Sequence, residues 1–215
     1  MNTYLKKTPY LLFLLVMPLL GIVYQFLNNN PQEAVHISTA ADGLIPFLPI
    51  FIIPYIFWYI YVFMYLVYFC FKDTKVYLKT LILIVVGEVI CFLIYFFFQT
   101  VVPRPQLQGD GLLIQMVGFI YANDQPYNCF PSIHVLTTFA VMLGSRHIRN
   151  KHPLNTMFIH IAGSLIIIST LFVKQHVVPD MIASMFLVSF LYGILFELYS
   201  VPVTEKQNTV FVKNK

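Results

Sequence analysis

The sequence predicts an all-α bundle of six membrane-crossing helices. Three observations carry the prediction. Of 215 residues, 59% are hydrophobic and only 10% charged, which excludes an ordinary soluble domain. The apolar residues form runs of about 20, enough to cross a hydrocarbon core of about 30 Å. The runs are continuous, without the alternation of a membrane β-barrel. Finally, all but two of the 13 Lys and Arg residues fall in alternate loops, as a cytoplasmic excess of positive charge requires.

The predicted spans are 8–27, 47–70, 77–98, 131–146, 154–173 and 178–200. Lys6 and Lys7 precede the first and place the amino terminus in the cytoplasm. This run continues to about Leu27 with no small-residue cleavage pattern after it, so it is expected to be retained. Pro46, Pro49 and Pro54 open the second span. Trp58, Tyr59, Tyr61, Tyr65 and Tyr68 follow and read as aromatic packing inside a bundle. The third span carries Glu88 near its middle, where a functional and a hydrogen-bonded structural role both stay open. Pro131 suits the first turn of the fourth span. The fifth contains His160, read as packed, and Pro179 starts the sixth.

Lys72, Lys75, Lys79, Arg146, Arg149, Lys151, Lys206, Lys213 and Lys215 then join Lys6 and Lys7 on the cytoplasmic side. His147 and His152 are expected to be solvated there. The far side holds loop 28–46, with His36 and Asp42, and the long loop 99–130. The positive charges are spread over loops rather than forming one stripe, so no nucleic-acid partner is expected. Cys70, Cys91 and Cys129 make no disulfide framework, and no Cys/His spacing suggests a metal.

The two exceptional cations, Arg104 and Lys174, lie on the far side near three clusters. These are Pro103-Arg104-Pro105, Cys129-Phe130-Pro131-Ser132-Ile133-His134 and Lys174-Gln175-His176-Val177-Val178-Pro179-Asp180. All three fall at the same end of their helices. The start of the fourth span offers free N–H groups and a positive dipole end to an anion, with Ser132 adding a hydroxyl. His134 is placed to move a proton. Four residues separate His176 from Asp180, so the carboxylate can orient the imidazole, and an oriented imidazole is a good nucleophile toward phosphorus. Arg104 offers a planar fork matched to phosphate oxygens and Lys174 a point charge. The structural alternatives are a helix cap for Asp180, an interfacial anchor for Arg104 and a snorkelling lysine for Lys174.

The order Arg-Pro, Pro-Ser-x-His, His-x-x-x-Asp resembles the type 2 phosphatidic acid phosphatase (PAP2) superfamily. The resemblance covers Arg104 to Asp180 and implies a single six-span domain over residues 1–215. It implies that His176 attacks phosphorus, Asp180 orients it, His134 protonates the leaving oxygen, and Arg104 and Ser132 hold phosphoryl oxygens. The implied activity is a phosphatase or phosphotransferase acting on a lipid phosphate at the extracytoplasmic face of the cell membrane, with no cofactor and no metal. The chain departs from the family pattern at Phe97 and Thr170, where cations are expected, and at Ile133, where glycine is. Lys174 is the candidate replacement for the missing cations. Phe-Pro-Ser-x-His and Lys-Gln-His resemble the inositol phosphorylceramide synthase and sphingomyelin synthase branch, which implies headgroup transfer between lipids as an alternative to hydrolysis. A transporter or scaffold keeping a worn site is the non-enzymatic alternative.

Overall fold

The computed structural model describes residues 3–31 and 33–198, with side chains from Leu5 onward. The end of the sixth predicted span, at 199–200, and Lys206, Lys213 and Lys215 lie outside the described residues. Among the described residues eight helices follow in order, besides a single turn at Ser145–His147. They are α1 (Leu5–Asn28), α2 (Ala40–Leu44), α3 (Pro49–Lys72), α4 (Thr74–Phe97), α5 (Leu112–Asn123), α6 (Ile133–Gly144), α7 (Pro153–Phe172) and α8 (Val178–Glu197). Two short strands, β1 (Val35–His36) and β2 (Thr100–Val101), pair in parallel with Val35 opposite Thr100.

Five helices, α1, α3, α4, α7 and α8, are long and apolar enough to cross a membrane. The chain is thus an all-α bundle of the multi-pass membrane type. Its outer surface agrees: on α1, Leu12, Leu19, Ile22 and Phe26 are each more than 60% exposed, a face that only an apolar surround would accept.

The remaining predicted span, 131–146, appears as the 12-residue α6. It is the centre of the bundle and packs against α3, α4, α7 and α8. Val135, Leu136, Thr137, Thr138, Ala140 and Val141 are fully buried, so the helix is buried around its circumference rather than along one stripe. Close approach is secured by small residues on its neighbours. A Cβ on Gly87 of α4 would stand 2.9 Å from Leu136 Cδ1, and one on Gly163 of α7 would stand 2.6 Å from Met142 Sδ.

Helix ends alternate. At one end Lys7 donates to the Phe71 carbonyl (2.8 Å), joining the start of α1 to the close of α3. At the other end the close of α1, α4 and α7 meets the start of α3, α6 and α8. The second-span aromatics largely do the packing the sequence suggests: Tyr61 and Tyr65 donate to the Ile159 carbonyl and Asn155 of α7 at 2.9 Å each.

Three features of the far loops are not anticipated by the sequence reading. The 12-residue α5 lies within the predicted loop 99–130. The β1–β2 ladder ties that loop to 28–46. Pro131 lies outside α6, after a cis Phe130–Pro131 bond, and Ser132 is the N-cap, its Oγ accepting from Val135 N at 3.3 Å. The residue that starts the helix is therefore the hydroxyl cap rather than the proline.

Candidate active site

Hydrogen bonds from distant parts of the chain fix the loop carrying Cys129. Thr100, at the start of β2, accepts through Oγ1 from the N–H groups of Cys129 (3.2 Å) and Phe130 (3.0 Å). Asn28, fully buried at the close of α1, donates to the carbonyls of Gln125 and Tyr127 and accepts from Gln125 N. The loop is pinned from both sides before it enters α6.

The opposite wall is the turn 173–177. After α7 the chain reverses with Lys174 at φ 56, a left-handed position more usual for Gly or Asn. The Thr170 carbonyl accepts from both Gln175 N and His176 N (3.1 Å each), which fixes the backbone under the histidine. The Lys174 ammonium donates to the carbonyls of Asp42 and Ile45, and Asp42 Oδ1 accepts from Val178 N at 2.7 Å. Helix α2 is thereby docked on the turn.

These two walls bring His176 and Asp180 together. His176 Nδ1 lies 3.1 Å from Asp180 Oδ2 and 3.1 Å from the Cys129 carbonyl oxygen. Both neighbours are acceptors, so Nδ1 carries the proton and the neutral ring keeps its lone pair on Nε2. Asp180 is also a cap: the same Oδ2 accepts from Val177 N at 3.0 Å. The carboxylate is fully buried, and its Oδ1 has no partner among the described residues.

His134, in the first turn of α6, has its ring centroid 5.8 Å from that of His176. Its ring rests against Tyr55 (4.5 Å) and Trp58 (4.1 Å), and Trp58 Nε1 is held by Thr137 Oγ1 at 2.8 Å. His134 Nε2 is buried without a partner among the described residues. Both histidines line one cavity of about 870 Å³. It runs between α1 and α3, with Tyr24, Asp124, Asn128 and Tyr95 also at the histidine end, and Leu20, Val62, Leu66 and Glu88 deeper. The first half of α1 reaches α3, whereas its second half leans on α4, which leaves the groove between them.

The other expected phosphate ligands stand apart from this cavity. Arg104 stacks on Tyr121, 4.4 Å from the ring centroid, and donates to the carbonyls of Tyr121 (3.2 Å) and Asp124 (2.7 Å) and to Gln175 Oε1. It lies behind the cavity wall with both Nη groups bonded, while its Nε is buried without a partner among the described residues. Lys174 is spent on α2. Ser132 is fully buried as the N-cap. Phe97 is 79% exposed on the outer surface, and Thr170 is buried under the turn. The histidines of the other end are more engaged than the sequence suggests: His147 Nε2 lies 2.7 Å from Tyr192 Oη, and His152 Nδ1 caps α7 by accepting from Leu154 N.

Sequence reasoning missed Asp124. Its Oδ1 accepts from Tyr24 Oη at 2.5 Å. Burial raises its carboxyl above the usual range, against the opposing pull of the Tyr24 hydroxyl and the Arg104 charge. The available signal was a carboxylate in Asn123-Asp124-Gln125-Pro126, closing an apolar 12-residue run in the loop that holds Arg104.

Cys129 Sγ, His176 Nδ1 and an Asp180 oxygen lie within 4.8 Å of one another, close enough to share a metal ion. Their chemistry does not suit one. Burial pushes the Cys129 thiol up, its Sγ donates to the Pro126 carbonyl, and His176 Nδ1 is engaged as a donor. The arrangement is instead an oriented imidazole facing a second histidine across a largely apolar groove. Compared with family models, curated proteins and solved structures, the chain finds no match.

Proposed function

We propose that the chain is a lipid phosphatase or phosphotransferase of PAP2 type, working through a phosphohistidine. The observation that carries the reading is the His176 tautomer. Its Nδ1–H, held by Asp180 and the Cys129 carbonyl, leaves the Nε2 lone pair for attack. Nε2 bonds to phosphorus, the ester P–O bond breaks, and His134 gives a proton to the departing oxygen. An acceptor then attacks the phosphohistidine, the N–P bond breaks, and the acceptor's proton passes to His134. Asp180 stabilises the imidazolium-like charge that develops on His176. Arg104 steadies the Asp124 and Gln175 wall, and reaches phosphoryl oxygens by exchanging Gln175 for them.

The chain crosses the cell membrane six times in this reading, with α6 as the short central crossing and both termini cytoplasmic. The cavity opens toward the extracytoplasmic leaflet, and a lipid enters sideways between α1 and α3. A second reading, headgroup transfer between lipids, is favoured by the cavity's charge. No Lys or Arg lines it among the described residues, while Asp124 and Glu88 do. Such a lining suits a phosphodiester better than a doubly charged monoester.

Purified protein is expected to release phosphate or form a new lipid ester from members of a lipid panel. Vanadate should inhibit and chelators should not. His176→Ala should abolish both products, and acid-labile label should appear on the wild type alone. Retained turnover in His176→Ala would falsify the mechanism.

A further inference from the structure

Glu88 is unused by this chemistry, yet it lines the same cavity. It lies on α4, is only 5% exposed, and receives no hydrogen bond or ion pair among the described residues. Seven residues separate it from Tyr95, whose hydroxyl donates to the Pro131 carbonyl beside His134. Seven residues are two helical turns, or about 10 Å of rise. The walls between are Leu20, Val62, Leu66 and Ile133. A carboxyl at this depth is costly unless it is partnered. Among the described residues it finds no partner, and the groove leads to it.

We propose that Glu88 is a specificity-determining residue. It recognises a hydroxyl group on the apolar body of the lipid, about 10 Å from the phosphorus. This deepens the lipid-substrate reading above and rests on it. A plain saturated chain fills the groove but leaves the carboxyl unpaired. A chain with a hydroxyl at the matching depth satisfies it, so the preference depends on position. That dependence separates recognition from a general taste for polar lipids.

The probe is a series of long-chain alkyl phosphates, unsubstituted or with one hydroxyl at successive positions. Trp58 is the only tryptophan and lies in the cavity, so its fluorescence reports binding without turnover. Full-length protein in nanodiscs should bind the member hydroxylated about 10 Å from phosphorus about tenfold more tightly than the plain chain. Glu88→Leu should lose the preference and bind the plain chain at least as well. Glu88→Gln, which keeps hydrogen-bonding capacity, should retain part of it. A wild type blind to hydroxyl position, or a preference that survives in Glu88→Leu, overturns the proposal. Phosphate release and new lipid ester, measured in parallel, separate the two readings. Positional preference with neither phosphate release nor a new lipid ester from any member overturns the catalytic reading and leaves this one standing, and turnover without preference does the reverse. Failure of every member to bind overturns both.

Discussion

At the scale of single residues, Asp180 does two jobs with one oxygen. Its Oδ2 accepts from His176 Nδ1 and from Val177 N, so orienting the imidazole and starting α8 are the same act. Asparagine keeps an oxygen for the Val177 N–H but lacks the negative charge, and it can turn its NH₂ toward Nδ1 and impose the wrong tautomer. Asp180→Asn is expected to lower kcat by about 10⁴-fold, the scale of the same change in a Ser-His-Asp triad, with little change in Tm. Near-wild-type kcat, or collapse of the fold, would sink this account. His134, His176 and Asp180 were legible in the sequence because their spacing places them at one end of their helices. Lys174 was not, because its fate is set by a partner 132 residues away, the Asp42 carbonyl. Asp124 was missed for a similar reason: its role comes from Tyr24 across the bundle, and no local pattern records that contact.

Among the elements, the long apolar helices were legible from hydropathy alone, to within a few residues. The far-side loops were not, since their order comes from tertiary bonds such as Thr100 to Cys129 and Asn28 to Gln125. Helix α2 shows how such bonds set conditions on stability. Burial alone would raise the Asp42 pKa. It is outweighed by the Thr39 and Val178 N–H groups, the Thr39 hydroxyl and the Lys174 charge, so the net shift is downward from 3.8. A depressed carboxylate stabilises the fold above its unfolded pKa and loses that contribution as pH falls through its folded pKa. The docking of α2 on α8 should therefore hold above about pH 4 and loosen progressively below it. Hydrogen exchange at the Val178 amide, corrected for intrinsic rate, should accelerate in that acid window, and Asp42→Asn should flatten the dependence. Equal protection of the wild-type amide on both sides of the window would contradict it.

For the whole molecule, the proposed topology puts exposed Gln108 outside the cell and exposed Lys75 inside. All three native cysteines are buried, so introduced ones can be read against them. In intact cells an impermeant thiol reagent should label Gln108→Cys at once and Lys75→Cys only after lysis. The reverse pattern would invert the molecule, and labelling of both would break the odd number of crossings between them. The same topology has a consequence for how the protein is made. Helix α6 is 12 residues long, follows the Ser132 cap, carries Thr137 and Thr138 at its middle, and turns buried residues to every side. Alone it is too short to span a bilayer, which takes about 20 apolar residues. Gly87 of α4 precedes it in synthesis and Gly163 of α7 follows, and both backbones must close around it. Membrane insertion of this chain is thus a packing event as well as a partitioning one: the helix that carries His134 enters as the cargo of its neighbours, and the candidate site is assembled only when the last of them arrives.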